Sequence, residues 1–269
     1  MERIFTTLAA HYRLIVVDFN YDDLLDRMPI PWNDGFTLPV DGRFCTLFSP
    51  PDWNNAVANA TSHLLMHLHG SVRYGYRPME THVDSTSRSA EPARYESLQS
   101  AQEIIASMGV SGTSVDGRVE DASFIVSGLG KAGKLAYNAR PYGYYYRTVM
   151  DVLPRVDQLL VLGYGWRDVH VNTWLNEYAS LHPERRSAVV TVHNAWDYRN
   201  NSPQNQALPR LAGSPWQKIE ISYAVQNPGE SVPLLIEGSF AIAPSGFIMK
   251  DSDEATLLEF LLTNAAVTP

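Results

Sequence analysis

Leu14-Ile15-Val16-Val17-Asp18-Phe19-Asn20-Tyr21-Asp22 and Leu64-Leu65-Met66-His67-Leu68-His69-Gly70-Ser71 decide how this chain reads. Each is an apolar run that breaks into polar residues at its C-terminal end. In open α/β sheets, polar groups just past the strand C-termini line the ligand crevice. Asn20, Asp22 and His69 are therefore candidates for one pocket, although 49 positions separate Asn20 from His69. An Asn that positions a water or a ribose, with a His to move a proton, is sufficient for chemistry at a sugar carbon.

Each of these residues also has a plainer reading. Asn20 suits the cap of a helix that starts near Asp22. Asp22 suits a first-turn acid facing the helix dipole. His69 stands before Gly70, where a missing Cβ permits close backbone approach and leaves room for a ligand. An unperturbed His titrates near ~6.5, so His69 can be neutral and accepting at cellular pH. His67 lies two residues earlier, on the same face of the predicted strand. It reads as a buried, hydrogen-bonded His, because no third ligand stands at a spacing that would make the pair a metal site.

Working outward, residues 2–12 have helical spacing, with Ile4, Leu8 and Tyr12 on one face. Strands are predicted at 13–18 and 63–69. Residues 28–60 are rich in Pro, Gly, Asn and Trp and read as a long loop with a short hairpin at 36–48. From 75 to 120 the chain turns polar and reads as an insertion or lid, with a helix near 93–107. A strand at 124–126 and a helix at 141–153 follow. The run ending in Gly163 reads as a central strand, since it is continuously apolar rather than alternating. A helix over 168–180, a strand in 187–194, another in 216–224 and a terminal helix over 253–263 complete the reading. Strands alternating with helices imply a doubly wound, mostly parallel sheet with helices on both faces.

Gly163-Tyr164-Gly165 follows a strand and precedes a helix, the position of a phosphate- or ribose-facing turn. Asp168 is a candidate for the N-cap of that helix or for a ligand contact. The segment Gly128-Leu129-Gly130-Lys131-Ala132-Gly133-Lys134 matches two glycine-rich patterns at once. A phosphate-cradling loop needs Ser or Thr after the final Lys, where Leu135 stands, and a dinucleotide fingerprint needs an acid at the end of a second strand. A Gly-Lys loop near the pocket mouth is the better reading, with Lys131 a candidate phosphate contact. Tyr142, Tyr144, Tyr145 and Tyr146 read as helix packing rather than as a base-stacking platform.

Four motifs in order resemble the sirtuin-like family, in its bacterial antiphage-defence branch of NAD-consuming proteins. They are FNYDDLL from Phe19, HLHGSV from His67, the SGLGKAGK…RPYGYYY stretch from Ser127, and LVLGYGWRDVHVN from Leu160. The likeness covers roughly residues 10–200. It implies a Rossmann-like fold and NAD as substrate, cleaved between nicotinamide and ribose. It also implies His69 as general base, Asn20 beside the nicotinamide ribose, and Asp22 toward the nicotinamide amide. Gly70, Gly163, Tyr164, Gly165 and Asp168 fall in the nucleotide-facing turns. Asn194 falls where the family has an Asn on the adenine-side ribose. Gly165 stands where deacetylating sirtuins have Ser. The chain contains no Gly-Ala-Gly-x-Ser loop, so it reads as a single sirtuin-like domain over 1–269 without the usual first strand and glycine-rich loop. A nucleotide-binding or interaction module without turnover is the alternative, and a protein-lysine deacylase is a third reading. Such domains assemble as homo-oligomers or answer to a separate sensor protein.

Composition bounds the rest. A net charge of −8 disfavours a nucleic-acid backbone as partner. Cys45 is the only cysteine, which excludes both an internal disulfide and the four-cysteine zinc ribbon of deacetylating sirtuins, so no metal is expected. No apolar run approaches the ~18 residues of a membrane span and no signal pattern opens the chain, so a cytoplasmic protein is expected.

Overall fold

The computed structural model describes residues 1–20, 22–39, 45–75, 92–96, 140–164, 169–190, 234–243 and 251–263. In chain order these form α1 (Glu2–Ala9), β1 (Ile15–Asp18), β2 (Trp32–Asn33), β3 (Phe36–Pro39), β4 (Cys45–Phe48), α2 (Pro50–Ala58), β5 (His63–His67), β6 (Tyr74–Gly75) and β7 (Ala93–Tyr95). There follow α3 (Tyr142–Val152), a 3-10 turn (Leu153–Arg155), β8 (Leu159–Leu162), α4 (Val169–Leu181), β9 (Ser187–Val190), β10 (Leu235–Glu237), β11 (Phe240–Ala243) and α5 (Asp251–Leu262). Two compact units divide them: Tyr12–Val149, and Met1–His11 together with Met150–Pro269. The protein is thus a mixed α/β chain with parallel sheets.

In the first unit β1, β5 and β2 form a parallel sheet in the order β1-β5-β2. Leu64, Leu65 and Met66 of β5 are all buried, so the strand is covered on both faces, as its unbroken apolar run requires. The register places Asp18 opposite His67 at the C-terminal ends of β1 and β5. A second, antiparallel sheet runs β3-β4-β7-β6. Its β3–β4 pair is the hairpin predicted at 36–48. The aromatic core of this unit joins Phe36, Phe48, Trp53, Tyr74 and Tyr145, with ring centroids 5.0–6.2 Å apart. The Trp53 indole donates to Thr148 Oγ1 at 3.1 Å, and the Tyr145 hydroxyl donates to the Asp34 carbonyl at 2.5 Å.

Three expectations change in this unit. No helix starts at Asp22; residues 24–27 form a turn, and the Asp22 carboxylate accepts the Leu24 amide at 3.0 Å. The supposed long loop 28–60 contains β2 and a full helix, α2. Ser49 caps α2 by accepting the Asp52 amide at 3.4 Å, and Pro50 and Pro51 enter at positions where no intrahelical N–H is needed. Reading those prolines as loop markers hid the helix. Residues 93–95 form a strand against β4, not the start of a helix. Apart from Gly75 and residues 92–96, the stretch 75–120 lies outside the described residues, as do the strands expected at 124–126 and 216–224.

In the second unit β8 and β9 pair in parallel and are joined by α4, a β–α–β unit. β11 continues the sheet in parallel, and β10 adds an antiparallel strand, giving the order β10-β11-β9-β8. Expected as a central strand, β8 stands at the edge of the sheet among the described residues. α4 buries Val171, Leu175, Tyr178 and Ala179; α5 buries Leu257, Leu258, Phe260 and Leu261; α1 buries Ile4, Phe5 and Leu8. The Arg186 guanidinium lies 4.9 Å from the Phe260 ring centroid.

Candidate functional site

β1 and β5 end side by side, and the residues beyond them carry the polar groups. The chain leaves β1 through Phe19 and Asn20. The Asn20 amide turns back to donate to Asp18 Oδ1 at 2.8 Å, an Asx-type turn that leaves the Asn20 side chain at the surface. β5 stops at His67, two residues short of the predicted 69. Leu68 reaches back to the Asp18 carbonyl at 3.0 Å, and the Gly70 amide donates to the His67 carbonyl at 3.1 Å. Gly70 takes a φ of 93°, a left-handed conformation that favours glycine. His69 therefore sits in a turn and does not share a strand face with His67.

His69 Nδ1 lies 3.1 Å from the Phe19 carbonyl oxygen, and the two rings meet edge to face at 5.2 Å. A carbonyl only accepts, so Nδ1 carries the hydrogen. In the neutral ring the lone pair is then on Nε2. One hydrogen bond fixes the tautomer and ties the His69 turn to the Asn20 turn. The hydrogen bond thus joins the turn that carries His69 to Phe19, the residue before Asn20.

Beneath these turns lies an ionic cluster. His67 is fully buried, with Nε2 donating to Asp26 Oδ2 at 3.0 Å and Nδ1 3.4 Å from Asp18 Oδ2. Burial disfavours its charge, yet hydrogen bonds and attraction from the two carboxylates prevail and push its pKa up to about 9. Arg94 Nη2 donates to Asp26 Oδ1 at 2.8 Å, and Arg94 Nε pairs with Asp34 Oδ2 at 2.7 Å. Arg73 Nη1 adds a contact to Asp26 Oδ1 at 3.5 Å. Burial pushes the Asp26 pKa up, but His67 and Arg94 together hold it well below the usual carboxylate range. Burial dominates at Asp34 and raises its pKa despite Arg94.

His67 is the buried, hydrogen-bonded His the sequence implied. Asp18, Asp26, Asp34, Arg73 and Arg94 were not foreseen as part of a site. The one signal for Asp18 is a carboxylate ending an apolar strand in register with a His. Arg94 gives no such signal, because it follows a polar segment whose strand pairing is not visible locally.

In the second unit Gly163 takes a φ of 59° just past β8, and its amide donates to the Val190 carbonyl at 2.8 Å. The Tyr164 hydroxyl donates to Asn172 Oδ1 at 3.1 Å, tying the turn to the first residues of α4. Gly165, Asp168, Asn194 and Lys131 lie outside the described residues, as does Tyr21. Among the described residues no His, Cys, Asp and Glu group is arranged to hold a metal ion. No described helix is long and apolar enough to cross a membrane.

Gly70 in the first unit and Gly163 in the second each take a left-handed conformation just past the end of a parallel strand. The model of the SIR2-like domain family matches residues 14–212, from the residue before β1 onward. That family implies a Rossmann-like α/β fold and a function connected with NAD. No curated protein matches the chain.

Proposed function

We propose that this chain, which belongs to the SIR2-like domain family, is an NAD hydrolase. Water adds to C1′ of the nicotinamide ribose as the N-glycosidic bond breaks. The bonding pair leaves on the nicotinamide nitrogen, giving neutral nicotinamide, ADP-ribose and a proton. His69 takes that proton on Nε2. Asn20 holds the water or the ribose hydroxyls, and Asp22 meets the nicotinamide amide. Gly70, Gly163, Tyr164, Gly165, Asp168, Asn194 and Lys131 contact ribose and phosphates. Most of the acceleration comes from positioning and from stabilising an oxocarbenium-like centre.

The observation that supports this reading is the Phe19–His69 hydrogen bond, which fixes the His69 tautomer and ties its turn to the residue before Asn20. By family resemblance, the setting is antiphage defence by NAD depletion, with an oligomer or a sensor protein as the switch. A second reading, a nucleotide-binding module without turnover, is favoured by one fact: no Gly-Ala-Gly-x-Ser loop occurs in the sequence. The two separate in one assay. A hydrolase releases nicotinamide from NAD without any peptide, and Asn20→Ala abolishes the release while the variant stays folded. A binding module takes up NAD, measured by calorimetry, and releases nothing.

A further inference from the structure

We infer that His67 and Arg94 form a positioning relay that sets the Asn20 turn from the neighbouring antiparallel sheet. The relay runs through four contacts. Arg94 of β7 holds Asp26 Oδ1 at 2.8 Å, and Asp26 Oδ2 holds His67 Nε2 at 3.0 Å. His67 Nδ1 faces Asp18 Oδ2 at 3.4 Å, and Asp18 Oδ1 accepts the Asn20 amide at 2.8 Å. Four contacts thus join a strand of the second sheet to the turn that carries Asn20.

Two properties make this a relay rather than a set of ion pairs. The first is the alternation of charge. Asp18 and Asp26 flank His67, and Arg73 and Arg94 flank Asp26 from the other side. The groups that face His67 are Asp18 from β1, Asp26 from the turn after it, and the edge-on Tyr74 ring of β6 at 5.9 Å. Arg73, Arg94 and Asp34 stand behind Asp26. Removing the His67 charge takes away the cation that faces Asp18 Oδ2. The second property is that each Asp18 oxygen has a separate task. An Asp18 carboxylate that turns to find another partner releases the Asn20 amide. Buried ion pairs contribute little net stability, because desolvation offsets their attraction. What they do supply here is one orientation of the His67 ring and, through Asp18, one course of the chain at Asn20.

The consequence for turnover rests on the NAD-hydrolase reading; the consequence for the Asn20 amide does not. The test uses the full chain and its His67→Gln, Arg94→Gln and Arg94→Lys variants. Hydrogen exchange at the Asn20 amide and nicotinamide release from NAD are both measured. Loss of roughly one hydrogen bond is expected to speed Asn20 exchange by about 5- to 10-fold in His67→Gln and Arg94→Gln. Arg94→Lys, which keeps the charge, returns it toward the wild-type rate. Turnover is expected to fall by about 100-fold in the two Gln variants with a smaller change in KM, since the loss is of alignment rather than of contact with substrate. Unchanged Asn20 exchange in a folded His67→Gln overturns the relay, whatever happens to turnover. Where His67→Gln does not fold, equal exchange in wild type, Arg94→Gln and Arg94→Lys overturns it, because Arg94 sits at the partly exposed outer end. Faster exchange beside a wild type that releases no nicotinamide upholds the relay and rejects the hydrolase reading instead.

Discussion

His69 donates its Nδ1 hydrogen to the carbonyl oxygen of Phe19 at 3.1 Å, across two parallel strands that are adjacent in space and 50 residues apart in sequence. The bond does for His69 what a carboxylate does in other His-dependent sites: it fixes the ring and its tautomer. A carbonyl does so without adding charge. The charged partners are spent one layer below, on His67.

That layer gives stability a defined pH dependence. The folded-state pKa of His67 is raised to about 9 from an unfolded value of 6.5. Its contribution is therefore fully present below about pH 6.5 and is lost as pH rises through about 9. Asp26 is shifted down, so its contribution is present above the unfolded value of 3.8 and is lost as pH falls through the lower folded value. Thermal melts are expected to show Tm falling from pH 7 to pH 10, and this fall is expected to flatten in His67→Gln. An equally steep fall in the variant assigns it to other groups.

Gly35→Ala is expected to destabilise the first unit by about 2–4 kcal/mol, from left-handed strain and overpacking together. Gly35 has a φ of 80°, and a Cβ there stands 2.3 Å from Cε2 of Phe48. Phe48 is wedged against Phe36, Trp53 and Tyr145 and has little room to give way. Urea unfolding of the two proteins measures the difference; a shift under about 0.5 kcal/mol contradicts this packing.

Arg13 closes the C-terminal end of α2. Its Nη2 donates to the carbonyls of Ala56 and Val57 at 3.1 and 2.7 Å, and its Nε to that of Ser62 at 2.9 Å. Arg13→Ala is expected to cost about 1–3 kcal/mol by leaving these carbonyls with water alone. Arg13→Lys, with one compact ammonium, recovers only part of it. Chemical denaturation of the three proteins ranks them, and equal stability of Arg13→Ala and wild type refutes the role.

The parts of this structure legible in the sequence are those whose physics is local. The unbroken apolar runs ending at Asp18 and at His67 announced parallel strands, the second of them buried from Leu64 to His67, and the Gly after His69 announced a tight turn. α3 and α4 showed their helical spacing. α2 was missed because its opening prolines are helix-compatible only at the first turn, a distinction that needs the Ser49 cap to be seen. The helix predicted at Asp22 failed because Asp22 spends its carboxylate on an Asx turn to Leu24. The ionic cluster was invisible because Arg94 meets Asp26 only through pairing of β7 with β4 and β6, long-range contacts that no spacing encodes.

The most direct test is nicotinamide release from NAD by the wild-type chain beside His69→Ala, with folding of both checked by thermal melt. The expected result is release by the wild type and a loss of about 100-fold or more in the variant, the usual scale of a missing general base. Equal release by two folded proteins contradicts the assignment of His69, and with it the proposed chemistry.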